Sequence, residues 1–358
     1  MLFHLTIIIF LLITLPIAAF GDDAYTPRIP LGLDGSAFLA NIPEDNPLTS
    51  ARVSLGKLLF FDKRLSKDGT LACGTCHQPR YAFTDGQPLP TGIGGRQGRR
   101  NAPTILNRVY GNTHFYDGRV QTLEEQALQP IQNGLEMGNT LENLVATLSA
   151  VPGYRIRFKD AFGTETITSD RIAKAIAAFE WSLITGESPF DLFEYGGPDG
   201  SMSETAERGL RVFRSKKARC ALCHTRFTYT DEDFHNIGVG WDKVDLSTYK
   251  KTQNPDDIRG VDPGRYAYTR KPEHFGAVKT PTLREVGRTS PYMHNGSIKT
   301  LEEIVEFYNK GGISNPFLDE KIKPLDLTEA EKQDLVAFLK ALNGINWLQI
   351  EPPLRFPE

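Results

Sequence analysis

Every cysteine of this chain sits in one of two copies of a single five-residue pattern, Cys73-Gly74-Thr75-Cys76-His77 and Cys220-Ala221-Leu222-Cys223-His224. Two thiols three positions apart reach the two vinyl groups on one edge of a porphyrin. The histidine that follows lies under the iron and supplies an axial nitrogen. One zinc site pooling the four thiolates would leave both histidines without a role. A redox Cys-x-x-Cys reading explains neither the duplication nor the histidines. The pattern predicts two covalently attached c-type haems, with Cys73, Cys76, Cys220 and Cys223 as attachment points and His77 and His224 as proximal iron ligands. From His77 to His224 is 147 residues, the length of a domain. With 358 residues and 40% hydrophobic content, the chain can fill a separate, mostly helical core around each haem.

The start of the chain reads differently. Leu5 to Phe20 is an almost unbroken apolar run, short for a membrane span. Ala19 and Gly21 stand three and one residues before Asp22, as a small-residue cleavage site requires. Met1 to Gly21 is read as a secretory signal peptide, which would place the mature chain in the periplasm with no membrane span. An n-region with His4 but no Lys or Arg favours the alternative, an uncleaved anchor helix. A net charge of −3 and a pI near 6.2 leave no basic footprint for a nucleic-acid partner.

Helical spacing marks residues 50–61, where Leu55, Leu58 and Leu59 fall at i, i+3 and i+4. Thr122 with Glu125, Thr300 with Glu303 and Thr328 with Glu331 read as capping boxes. Further helices are expected over 140–151, 169–185 and 203–214. Residues 27–47, 78–105 and 228–280 read as loop; the last could cover a haem or form a docking surface. The Gly/Pro-rich stretch at 196–200 is the expected boundary between an N-terminal haem domain (22–195) and a C-terminal one (196–358).

With these residues in place, the chain resembles the bacterial dihaem cytochrome c peroxidase family, and within it the MauG-like branch. The resemblance runs from about Leu55 to Leu342. It rests on both haem motifs and on LGKLLFFDKRLS, RNAPT, FYDGR, LEEQALQPIQNGLEM, SPFDL, FHNIG, KTPTLREVGRTSPYMHNG and TLEEIVEFYNKGG. It implies a mainly α fold of two cytochrome c-like haem domains with long loops, hydrogen peroxide as substrate at the first haem, and a second haem that exchanges electrons with it.

The resemblance also implies roles for particular residues. Tyr308 matches the distal ligand of the second haem, in the MauG-like form. Its spacing from Leu301, Ile304 and Val305 independently puts it on an inward helical face, where a core phenol bonded to a carbonyl is the plainer reading. Met293 is the runner-up ligand, and His294 matches a histidine near the same haem. Glu136 matches the distal acid of the first haem, with Gln126 and Pro130 shaping the pocket. A carboxylate there can move a proton between the two oxygens of peroxide. Relatives that need reductive activation carry a histidine in the loop before RNAPT; residues 78–100 hold none, which implies an open first haem. Asn101, Thr289 and Pro291 match the protein ligands of a calcium ion between the domains. Tyr116 stands where relatives usually place a Trp that relays electrons. Lys217-Ala218-Arg219 replaces a second Trp of MauG, which puts in doubt how oxidising equivalents are shared. Trp181 and Trp241 read as ordinary core or interface residues.

These features favour a peroxide-dependent oxidoreductase drawing electrons from a periplasmic protein donor, a small cytochrome c or a cupredoxin. A MauG-like enzyme that oxidises side chains of a partner protein uses the same residues. A dihaem electron carrier without catalysis is the reading from a different class, and Glu136 with the missing loop histidine argues against it.

Overall fold

The threonines of this sequence set its helix starts. Thr49, Thr122, Thr140, Thr168, Thr300 and Thr328 each accept a hydrogen bond from the backbone N–H three residues on, which satisfies one of the orphan donors of a first turn. The computed structural model describes residues 23–225 and 227–358; the expected signal segment at 1–21 lies outside them. In the first half the described helices are α1 (Gly35–Ala40), α2 (Ser50–Phe61), α3 (Cys73–Cys76), α4 (Leu123–Gln132), α5 (Leu141–Ser149), α6 (Pro152–Phe162), α7 (Ser169–Ser182) and α8 (Pro189–Glu194). In the second they are α9 (Glu204–Arg214), α10 (Tyr249–Thr252), α11 (Tyr266–Thr269), α12 (Leu301–Asn309) and α13 (Glu329–Lys340). Two short strands, β1 (Phe234–His235) and β2 (Val278–Lys279), pair antiparallel. The fold is mainly α, as expected. No described helix is long and apolar enough to cross a membrane.

Each half is built on one close helix crossing. Where α2 meets α7, a Cβ at Gly56 would stand 1.9 Å from the Ala175 carbonyl oxygen and 2.8 Å from Phe179 Cβ. Where α9 meets α13, a Cβ at Gly209 would stand 1.9 Å from the Asp334 carbonyl oxygen and 2.8 Å from Phe338 Cβ. The two crossings are the same construction. Leu55, Leu59, Phe60, Leu65, Phe83 and Ile131 fill the first core, and Leu210, Phe213, Leu301, Val305, Leu335 and Phe338 the second.

The halves also meet reciprocally. Asn101 N–H donates to the His294 carbonyl (2.7 Å), and Lys279 N–H donates to the Tyr116 carbonyl (2.8 Å). Lys279 stands 178 positions after Asn101, and His294 178 after Tyr116. The same offset pairs left-handed residues: Asn107 with Glu285, Phe115 with Met293, and Gly118 with Gly296. It also pairs the bridges His114–Val120 and Tyr292–Ile298. Pairing the same places on the two sides in both directions is the mark of a two-fold relation. The halves are an internal pseudo-dimer.

Some details depart from the sequence expectations. Glu125 does not complete a capping box, since its carboxylate accepts from Gln121 N–H rather than from Thr122. The boxes at Thr300/Glu303 and Thr328/Glu331 are complete. Packing does not follow a single cut near residue 196: Phe190 of α8 sits in the second core, while Trp347, Ile350 and Phe356 return to the first. Trp181 and Trp241 are buried in apolar clusters. Within the loop-rich 228–280 segment, Trp241, Ile258, Tyr266 and Phe275 form a small core of their own. Asp262 from this segment accepts two hydrogen bonds from Arg100, and Arg265 donates to the Asp117 carbonyl. The segment therefore clamps one half to the other.

Candidate dihaem site

The four thiols are free, with no disulfide among them. In each motif the chain turns tightly after the second cysteine, and the histidine ring is fixed from behind. His77 Nδ1 lies 3.0 Å from the Phe83 carbonyl, and His224 Nδ1 lies 2.9 Å from the Tyr229 carbonyl. A carbonyl only accepts, so Nδ1 carries the proton in both rings and Nε2 keeps its lone pair for a metal. Burial pushes both imidazoles below their ordinary pKa, against the pull of those carbonyls. The neutral form that iron requires is thus the resting form. Phe60 and Phe83 pack near His77, and Gly74 passes Phe61 so closely that a Cβ would lie 2.3 Å from its ring. Free thiols, prepared imidazoles and apolar walls fit a haem at each motif.

The two distal sides differ. Glu136 follows the end of α4, in a turn fastened by Glu136 N–H to the Asn133 carbonyl and by Ile93 N–H to the Glu136 carbonyl. Gly92 makes that second contact close: a Cβ there would stand 1.9 Å from the Leu135 carbonyl. Asn133 Nδ2 donates to Glu136 Oε1 at 2.7 Å, while Asn133 Oδ1 accepts from Leu135 N–H, fixing the amide's orientation. Burial raises the Glu136 pKa, opposed by the Asn133 hydrogen bond and the charge of Arg119. After burial and nearer acids, its charge also raises the Cys73 and Cys76 thiol pKa values, which puts it near the first motif. Pro130 lies within α4 and has no N–H to give the Gln126 carbonyl. The Gln126 side chain makes no hydrogen bond among the described residues.

Tyr308 on α12 occupies the place equivalent to Pro130, 178 positions on. Its pKa is raised by burial and then by the thiols of Cys223 and Cys220, and it packs against the same core as Cys220 and Ala221. It makes no hydrogen bond among the described residues, and the carbonyl-bonded core phenol is not what the fold builds. Met293 sits instead in the left-handed turn at the interface, equivalent to Phe115. The neighbouring His294 ring lies edge-on to Tyr116, centroids 6.4 Å apart, with Nδ1 buried and unpaired. Burial raises the Tyr116 pKa.

Between the halves, Asn101 Nδ2 donates to the Gln87 and Pro88 carbonyls. That leaves Asn101 Oδ1 free, and the Thr289 and Pro291 carbonyls accept no hydrogen bond among the described residues. Three free oxygens suit a hard cation. Sequence reasoning passed over two charged groups here. His235 lies between Asp231 Oδ2 (3.0 Å) and Asp319 Oδ2 (2.5 Å), beside Cys223. Lys279, Glu232 and Arg108 form a buried cluster. The match of VKTPT to RNAPT was the available signal for the second.

Two cytochrome c-like halves, each presenting a thiol pair and a prepared imidazole, define a dihaem cytochrome. A family profile described as "Di-haem cytochrome c peroxidase" matches residues 50–199. The methylamine utilization protein MauG of Methylophilus methylotrophus is 38% identical over 87% of this chain and 88% of its own length. The cytochrome c551 peroxidase of Pseudomonas aeruginosa is 33% identical over 86% of this chain and 85% of its own. A crystal structure of a MauG-like protein associated with microbial copper homeostasis superimposes with a TM-score of 0.79 at 31% identity, covering 93% of this chain and 98% of that one. The chain belongs to the dihaem cytochrome c peroxidase and MauG family, and is a two-haem, peroxide-dependent oxidoreductase.

Proposed function

We propose that the enzyme reduces hydrogen peroxide at the first motif with electrons entering from a periplasmic protein, a small cytochrome c or a cupredoxin. Cys73 and Cys76 would anchor the first haem over His77, and Cys220 and Cys223 the second over His224, in domains 22–195 and 196–358 delivered by the signal peptide. Bound there, the haems supply the redox chemistry of their irons. The chain's own residues do the rest. Glu136, as carboxylate, takes a proton from the near oxygen of peroxide and returns it to the far one, which departs as water. Over the cycle H2O2, two electrons and two protons give two waters. Asn133 holds Glu136 in register, while Gln126 and Pro130 shape the pocket. Tyr308 would offer its phenol oxygen to the second haem. Tyr116, half-buried between the halves, would relay electrons. Asn101, Thr289 and Pro291 would hold calcium and fix the halves to one another.

One observation carries this reading: equivalent places in the two halves hold Pro130, which offers an iron nothing, and Tyr308, which offers a phenol. The asymmetry supports the first motif as the one that takes peroxide. Tyr308 and the histidine-free loop at 78–100 also favour a second reading, oxidation of a partner protein's side chain in place of a soluble electron donor.

Electron paramagnetic resonance of the ferric holoenzyme tests the assignment. One high-spin and one low-spin signal are expected, with the low-spin signal altered in Tyr308→Phe. Two low-spin signals and no Soret response to peroxide would overturn it. Turnover with reduced cytochrome c or cupredoxin, against none, separates the two donors.

A further inference from the structure

Along the seam between the halves, residues 101–130 have counterparts 178 positions on, at 279–308. The cation site proposed at Asn101, Thr289 and Pro291 has its twin at Lys279, Gly111 and Thr113. At the first place three oxygens are free. At the second the chain brings a cation of its own: the Lys279 ammonium donates to the Thr113 carbonyl and lies 3.4 Å from Glu232 Oε2. Glu232 also accepts from Asn112 N–H (3.1 Å) and pairs with Arg108 (3.2 Å). The Lys279 and Glu232 side chains are 9% and 6% exposed, so these charges are held by each other and not by water. Lys279 N–H meanwhile donates to the Tyr116 carbonyl. One residue of the second half thus holds the 111–117 loop of the first at two points, Tyr116 and Thr113, whose carbonyl also accepts from Arg108 (2.8 Å).

We propose that Lys279 is a positioning residue, a tethered ammonium that fills the twin of the Asn101 cation site and fastens the 111–117 loop, with Tyr116 at its end, to the second half. The fastening stands on geometry alone; its effect on electron transfer rests on the reading of Tyr116 as relay. Burial and the like charge of Arg108 pull the Lys279 pKa down to about 7 against Glu232. Replacing so penalised a charge by an apolar chain is compatible with folding, and Lys279→Met leaves Glu232 its Arg108 partner.

Amide hydrogen exchange on the holoenzyme tests the proposal. In Lys279→Met, exchange across 111–117 is expected to rise about tenfold, as local opening becomes easier, while the twin loop 289–295 keeps its protection. Lys279→Arg should restore protection. Lys279→Asn recreates the Asn101 arrangement, so protection should return on adding calcium to the variant. Unchanged exchange in Lys279→Met overturns the proposal, and indifference of Lys279→Asn to calcium overturns the twin relation. Tyr116→Phe is run alongside in single-turnover peroxide reactions. If it passes electrons as fast as wild type while the Lys279→Met loop has loosened, the relay reading falls and the fastening stands.

Discussion

At the residue scale, function turns on how an environment changes an ordinary side chain. A surface glutamate is a poor proton shuttle at neutral pH because its pKa is too low. Burial raises that of Glu136, with Asn133 and Arg119 limiting the rise. The proton-accepting form is the carboxylate, so the reaction with peroxide should gain rate as pH rises through this elevated pKa. Glu136→Gln removes both the base and the acid limb. Stopped-flow mixing with peroxide should show a rate about 10²–10⁴ lower, flat across that pH range, with the resting haem spectra unchanged. A variant that kept wild-type rate would remove Glu136 from the chemistry. The two Cys-x-x-Cys-His motifs were legible because their chemistry fits in five consecutive residues. Lys279 and Glu232 were not, since their meeting depends on how two halves dock and no local spacing encodes it.

At the element scale, both halves depend on a helix crossing that only glycine permits. Alanine at an exposed helical glycine gains about 1 kcal/mol in propensity. At Gly56 or Gly209 it places a methyl 1.9 Å from a carbonyl oxygen of the facing helix, and overpacking of that kind costs about 1–3 kcal/mol. Sterics should therefore win. Gly56→Ala and Gly209→Ala are each expected to lower the thermal midpoint, with Gly56→Ala also perturbing the first haem and Gly209→Ala the second. Thermal unfolding followed at the Soret band checks this; a raised midpoint in either would mean the helices can separate freely. The sequence showed α2, α4, α5, α7, α9, α12 and α13 through caps and 3.6-residue spacing; the short α1, α10 and α11 lie in stretches read as loop, and it also missed α6 and α8. Both begin with proline at the first helical position, Pro152 and Pro189, where its missing N–H is harmless. Read as a breaker, proline hides the helix it starts. Which helices cross was also beyond the sequence, because Gly56 and Gly209 look like any helical glycine until the facing carbonyl is seen.

At the scale of the whole molecule, the 178-residue offset is the organising fact. No short repeat in the sequence betrays it, because the matched residues are one domain apart and share chemistry at few positions. The offset explains why a cation site and a lysine can be twins, and why the boundary between halves is dense with charge. Arg100 is central there, bridging Asp117 of one half and Asp262 of the clamp segment. Burial alone would raise the Asp262 pKa, yet the Arg100 hydrogen bonds and charge hold it below its ordinary value. Glu232 is likewise held down by Arg108 and Lys279 against burial. A carboxyl depressed in the folded state adds stability above its unfolded pKa and loses it as pH falls through the folded one. The stability these two carboxyls add should therefore persist at pH 5 and be lost only below the ordinary carboxylate range of about 4. Arg100→Met leaves burial of Asp262 opposed mainly by the Gly264 N–H, so its pKa rises and the acid transition moves to higher pH. Discounted for the partial exposure of both groups, the loss at neutral pH is roughly 2 kcal/mol. Acid titration followed by near-ultraviolet circular dichroism would show the upward shift. An unmoved acid midpoint would mean the halves are held by their apolar contacts and not by this clamp.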